Sequence, residues 1–131
     1  MLKVKSSRIE GAGRGLFTTS KIREGDVIVE YLGEKLTWKQ CLQRYKRDLS
    51  ELVYVFSVTD DNCIDAHPIP DALAKFANDA NWSYDVGRYT NNCEYQIIKG
   101  RPYIVATEDI NANKEILVDY GEEYWEAICG N

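Results

Sequence analysis

Five short runs of β-branched and aromatic residues constrain this chain more than any other feature: Val27-Ile28-Val29-Glu30-Tyr31, Val53-Tyr54-Val55-Phe56-Ser57-Val58, Glu94-Tyr95-Gln96-Ile97-Ile98, Tyr103-Ile104-Val105-Ala106 and Ile116-Leu117-Val118-Asp119-Tyr120. Each has the length and residue types of a strand, and turn residues separate them. A mainly β fold is expected. One stretch departs from this pattern. Trp38, Cys41, Leu42, Tyr45, Leu49 and Leu52 recur at steps of three and four, the period of an apolar stripe on a helix. The spacing predicts one main helix over Thr37 to Ser50, with Thr37 and Gln40 forming a capping box. Its basic face, Lys39, Arg44, Lys46 and Arg47, reads as a solvated surface. A shorter helical piece is expected from Asp71 to Ala77, with Asp71 as its cap. The segments Ile22-Arg23-Glu24-Gly25-Asp26 and Ile110-Asn111-Ala112-Asn113-Lys114-Glu115 echo each other, with Gly25 and Asn113 at equivalent turn positions that tolerate positive φ.

The 131 residues suffice for one core, so 1–131 is read as a single domain. The sequence has no run of about 18 apolar residues, and its start lacks the apolar stretch of a signal peptide. No membrane partner and an intracellular location are therefore expected. Cys41, Cys63, Cys93 and Cys129 stand far apart without a C-x-x-C pair, which suggests reduced core thiols and no metal. With 16 Lys and Arg against 21 Asp and Glu, the net charge is −5. That balance is opposite to the footprint of a phosphate-binding protein, so no direct nucleic-acid site is expected and a basic partner fits better. His67 is the sole histidine, which makes triad chemistry and multi-histidine metal sites hard to build.

Four motifs carry the chemistry. The first, Gly11-Ala12-Gly13-Arg14-Gly15-Leu16-Phe17, has alternate glycines but lacks the spacing of a dinucleotide loop, because position 16 is Leu16. By itself it reads as a glycine-rich turn. The others are Glu30-Tyr31-Leu32-Gly33-Glu34, Ala74-Lys75-Phe76-Ala77-Asn78-Asp79-Ala80, and Val118-Asp119-Tyr120-Gly121-Glu122 followed by Glu123-Tyr124-Trp125. In this order and at these distances they resemble the SET-domain family of protein lysine methyltransferases, from about Lys3 to Trp125. The resemblance is to a minimal, stand-alone SET domain of viral or bacterial type.

That resemblance implies a β-clip of small sheets with a knot-like C-terminal crossing. It implies that main-chain groups of Gly11, Ala12, Gly13, Arg14 and Gly15 hold S-adenosylmethionine, the methyl donor. The family phrase close to "ARFINHS" becomes Ala74 to Ala80 here, so Asn78 matches its asparagine while Asp79 replaces its histidine. A carboxylate cannot replace an imidazole donor, although a main-chain contact at Asp79 survives the change. Tyr120 matches the catalytic tyrosine and Tyr31 a tyrosine of the lysine channel, and Tyr95, after Asn92-Cys93-Glu94, is a further channel candidate. Trp125 or Tyr124 is expected to stack on the adenine. The zinc-binding cysteine cluster of many histone-specific members is absent, and Asn81 to Asn91 resembles an inserted substrate rim.

The implied reaction is methyl transfer to a neutral lysine amine. A lysine with a pKa near 10.4 must lose its proton first, and an aromatic channel favours that loss by desolvation without a histidine base. Tyr120 then acts by positioning and electrostatics. The family has a position where tyrosine limits the number of methyls; Val118 and Tyr95 are the two candidates for it, and mono- or dimethylation is expected. The implied partner is a basic protein or peptide, with a histone tail first, in a nucleus or host nucleus, and a homodimer is an open expectation. The rival reading is a binding module of SET-like or β-clip form that lost its cofactor through Asp79.

Overall fold

The β-rich expectation holds in the computed structural model, which describes residues 1–82 and 87–121. Strands β1 (Leu2–Ser6) and β2 (Arg14–Thr18) form an antiparallel hairpin, to which β9 (Glu115–Ile116) adds on the far edge of β2. A second sheet runs β10 (Val118–Asp119), β7 (Cys93–Ile98), β8 (Arg101–Ala106), β3 (Val27–Glu30), with β10 parallel to β7 and a register shift between Val27 and Val29. The third sheet places β6 (Asn62–Asp65) between β4 (Glu34–Thr37) and β5 (Val55–Ser57). A core of Leu16, Tyr31, Ile64, Cys93, Ile104, Ile116 and Val118 joins all three sheets. Complete burial of aliphatic side chains such as Leu16, Ile104 and Ile116 stabilises by about 1.5–3 kcal/mol each. Among the described residues no helix is long and apolar enough to cross a membrane.

Three sequence expectations are corrected. Helix α1 spans only Trp38–Arg44; the capping box of Thr37 and Gln40 is present, but the helix stops well short of Ser50. Its stop is tertiary in origin. The buried Asp65 carboxylate accepts from the Arg44 guanidinium at 3.0 Å and from the Tyr45 hydroxyl at 2.5 Å, which pulls both side chains toward β6. Leu42 and Leu49, placed on the apolar stripe, are exposed in consequence, and a 3-10 helix over Leu49–Tyr54 takes the place of the expected start of a strand. The piece expected over Asp71 to Ala77 is a 3-10 turn over Leu73–Phe76, and no side chain caps it. Lys75 fastens that turn instead, since its ammonium donates to the carbonyls of Ala66 and Ile69 at 3.1 and 2.8 Å. The third correction concerns Ile116 to Tyr120, which is split. Its two halves pair with different sheets, and Leu117 lies at the crossing.

The two echoed turns meet. Ile22 and Ile110 form an antiparallel bridge, and Gly25 (φ 88) and Asn113 (φ 70) both adopt the left-handed conformation the sequence predicted.

Candidate active site

The crossing at Leu117 brings the third and fourth motifs together. Asn78 and Leu117 form a parallel bridge, and the Val118 N–H donates to the Asn78 carbonyl at 2.9 Å. On the other side, the Asn92 and Cys93 N–H groups both donate to the Leu117 carbonyl, while Asn92 Oδ1 accepts the Leu117 N–H at 3.0 Å. A chain this enclosed must satisfy its polar backbone internally, and the two asparagines do so. Burial pushes the Cys93 thiol up to about 12, and it donates to Asn92 Oδ1 at 3.3 Å, so it remains a protonated structural group.

Asn78 also reaches the first motif. Its side-chain N–H donates to the Arg14 carbonyl at 2.8 Å, tying the crossing to the loop between β1 and β2. In that loop Gly11 and Gly13 have φ of 83 and 76, and a Cβ placed on either meets nothing within 4 Å. Ala12 packs against Ile9, Ala80 and Leu117, so the loop is anchored through its middle residue. Gly15 has no such room, because a Cβ there would lie 2.4 Å from Glu115 Oε2. Open backbone at Gly11 and Gly13 beside Asn78 suits the main-chain cradle that an adenosine-bearing methyl donor requires.

The tyrosines gather on one aromatic file. Tyr95 lies at its centre, stacked on Tyr120 with ring centroids 6.4 Å apart, edge-on to Tyr31 at 6.2 Å, and against Phe56 at 4.7 Å. Tyr31 and Phe56 are themselves 5.4 Å apart. Tyr31 is buried at one end, whereas Phe56, Tyr95 and Tyr120 are each half-buried. Both ends carry fixed hydroxyls. Tyr120 donates to the Ala77 carbonyl at 2.6 Å, and Tyr31 donates to the Tyr54 carbonyl at 2.8 Å. That Tyr54 carbonyl also accepts the Ala66 N–H, and the Ala66 carbonyl in turn accepts from Lys75, whose ammonium lies over the Tyr54 and Phe76 rings.

Tyr31, Tyr95 and Tyr120 are thus brought together, and Gly11, Ala12, Gly13, Arg14 and Gly15 are joined to Asn78. The Asp79 side chain faces inward with 0% exposure and accepts main-chain and amide N–H groups. Val118 is wholly buried beside Cys93, which leaves Tyr95 as the candidate on the aromatic file. Tyr124 and Trp125 lie outside the described residues. Sequence reasoning missed Phe56, Tyr54 and Glu115. Phe56 stood inside a strand-like run, and Glu115, which accepts from the Ser7 hydroxyl at 2.7 Å and the Arg8 N–H at 2.9 Å, has partners more than 100 residues away.

Comparison with known proteins shows the family and the fold. The SET domain family model matches residues 13–121. The zebrafish (Danio rerio) N-lysine methyltransferase KMT5A-A is 32% identical over 124 residues, covering 87% of this chain and 34% of its own length. The Arabidopsis thaliana histone-lysine N-methyltransferase ASHH1 is 29% identical, covering 98% of this chain and 27% of its own. The chain therefore spans about a third or less of the length of the curated relatives it matches. Among solved structures, a humanized mutant of the Chaetomium thermophilum Polycomb Repressive Complex 2 bound to the inhibitor GSK126 superposes with a TM-score of 0.74 at 24% identity, covering 93% of this chain and 15% of that one. That likeness concerns the fold alone; the family model's match over residues 13–121, most of the sequence, places this chain in the SET-domain family.

Proposed function

We propose that this chain transfers a methyl group from S-adenosylmethionine to a lysine ε-amine on a basic protein tail, with a histone tail as the first substrate class. The observation that carries the reading is the aromatic file of Tyr31, Phe56, Tyr95 and Tyr120, which ends on a fixed hydroxyl one residue from Asn78. When bound, the donor supplies an electrophilic methyl group on a positive sulfonium. Gly11, Ala12, Gly13, Arg14 and Gly15 through their main chain, with Asn78, Asp79 through its main chain, Tyr120 and Trp125, are the residues we assign to its binding.

The rest falls to the chain's own side chains. Four rings around an amine remove its water and favour the neutral form over the ammonium, whose ordinary pKa is about 10.4. Tyr120 donates to the Ala77 carbonyl, which fixes where its phenolic oxygen stands, and we assign that oxygen to accepting from the amine and holding it in line. Tyr95 is the residue we assign to limiting the number of methyls, with mono- or dimethyl product. The names of the relatives and the net charge of −5 support a basic histone target, and hence a nuclear site of action. The binding-only alternative rested on Asp79, and the inward, fully hydrogen-bonded setting of that side chain beside an intact Asn78 does not favour it.

A methylation assay on histone mixtures and cell extract, read by mass spectrometry, tests the proposal. Methyl-lysine that depends on added donor supports it; no methylation on any protein, together with no donor binding by calorimetry, removes it. Light scattering that returns twice the 15.0 kDa chain mass supports a homodimer, and the single mass removes it.

A further inference from the structure

Asp79 stands where the family phrase has a histidine, and three N–H donors converge on its enclosed carboxylate. Oδ2 accepts the Tyr120 main-chain N–H at 2.9 Å. Oδ1 accepts the Asn81 main-chain N–H and an Asn91 side-chain N–H, each at 2.9 Å. Asn91 is fixed from its other end, because its Oδ1 accepts the Ala80 N–H at 2.8 Å. A neutral imidazole has one acceptor and an imidazolium has none, so a histidine cannot receive these donors. The aspartate and Asn91 therefore belong together as one arrangement.

Tyr120 is consequently held twice by the same short segment: its hydroxyl on the Ala77 carbonyl, its N–H on the Asp79 carboxylate. A hydrogen bond to a charged acceptor is about twice as strong as a neutral one, and it grips the residue where its side chain begins. With 0% of Asp79 exposed, its carboxylate has no surface to offer a ligand in this structure. We infer that Asp79 is a positioning residue for Tyr120, setting where the phenolic oxygen stands, and that Asn91 at the end of the 81–91 segment holds Asp79 in place. This deepens the methyltransferase reading and rests on it. The segment read as a substrate rim is thereby tied, through two side chains, to the residue assigned to catalysis.

Asp79→Asn is the discriminating variant. It preserves volume but turns an NH2 group toward either the Tyr120 N–H or the Asn81 and Asn91 donors, leaving donor facing donor. In amide-correlation NMR the Tyr120 proton of the wild type is expected downfield, and in Asp79→Asn it should move upfield and exchange about tenfold faster. Turnover on a lysine peptide should fall by about tenfold or more, because a small misplacement of a catalytic group is costly. Donor affinity by calorimetry and peptide KM should stay within about threefold, the split expected of a group acting on the transition state. Asp79→His should behave alike. If Asp79→Asn fails to fold, Asn91→Ala carries the test, with a smaller shift of the Tyr120 amide in the same direction and a partial loss of turnover. A folded variant with an unmoved Tyr120 amide, or one whose loss of donor affinity matches its loss of turnover, overturns the inference. A wild-type protein without transferase activity overturns the methyltransferase reading and, with it, the catalytic purpose of the contact, while the amide shift still decides the contact itself.

Discussion

The phenolic oxygen of Tyr120 lies 2.6 Å from the carbonyl oxygen of Ala77, with the hydroxyl as donor. A carbonyl accepts only, so the phenol is the donor in this contact. The ring is meanwhile stacked on Tyr95 with planes inclined by 22°. Ring and hydroxyl are therefore fixed by different neighbours, and removing the hydroxyl leaves the ring's packing in place.

Tyr120→Phe exploits that separation. Turnover should fall by about 100-fold or more, the scale seen when one preorganised polar contact to a reacting group is lost. Donor affinity, measured by calorimetry, should change by less than about twofold, because the ring and main chain by which Tyr120 is assigned to the donor stay in place. Stability should fall by about 1 kcal/mol for the loss of the hydrogen bond to the Ala77 carbonyl. Unchanged turnover would take Tyr120 out of the mechanism.

Tyr95 packs against Tyr31, Phe56 and Tyr120 at once, and it is the residue we propose to stand beside the amine as it gathers methyl groups. A hydroxyl there occupies room that each added methyl needs. Wild-type protein should give mainly mono- or dimethyl-lysine, and Tyr95→Phe should shift the product toward trimethyl-lysine, read from intact peptide masses. Mainly trimethylated product from the wild type would contradict this assignment.

Gly15→Ala tests the floor of the glycine loop. The new Cβ would lie 2.4 Å from Glu115 Oε2 and 3.2 Å from the Ser7 Cα. Glu115 has little freedom to give way, since Ser7 and Arg8 hold its two oxygens. Overpacking of this kind costs about 1–3 kcal/mol. Thermal unfolding should show a drop of about 3–5 °C per kcal/mol. In a Glu115→Ala background the same substitution should cost much less, because the obstacle is gone. An equal penalty in both backgrounds would place the strain at Ser7 instead.

What the sequence disclosed and what it hid differ by range. Strands β3, β7 and β8 lie inside or overlap apolar runs, and the capping box of Thr37 and Gln40 is a contact three residues long, so local pattern was enough. Strands β1, β4 and β6 carry Lys, Glu, Asn and Asp and were invisible to a search for apolar runs. Only pairing with a neighbouring strand makes them regular. The helix was overextended because Asp65, more than 20 residues on from its start, captures Arg44 and Tyr45. At the candidate site, Tyr31, Tyr95, Asn78 and Tyr120 were singled out only through motif resemblance, since nothing in periodicity brings position 78 beside position 117. The partners that hold them, the carbonyls of Ala77, Tyr54 and Arg14, are main-chain atoms that every residue possesses and no composition can reveal.

Alkaline titration probes the buried thiols and the Tyr45 phenol. Burial pushes the thiols of Cys63 and Cys93 up to about 12, and burial together with the hydrogen bond to Asp65 pushes the Tyr45 phenol up to about 12 as well. In the unfolded chain these groups lose their protons near about 8.5 for a thiol and about 10 for a phenol. The folded values are raised, so the stability these groups confer is fully present below the unfolded values and is lost as pH climbs toward about 12. Over that window the unfolded chain binds fewer protons than the native one, and unfolding becomes easier with each step in pH. Urea unfolding under reducing conditions should give a midpoint that is flat from about pH 7 to 8 and declines steadily above about 8.5. Cys93→Ala lowers the midpoint at neutral pH by leaving a small cavity, but it removes one of the groups with a raised folded value, so its midpoint should decline less steeply. A decline as steep as that of the wild type would mean that Cys93 already ionises normally in the folded protein.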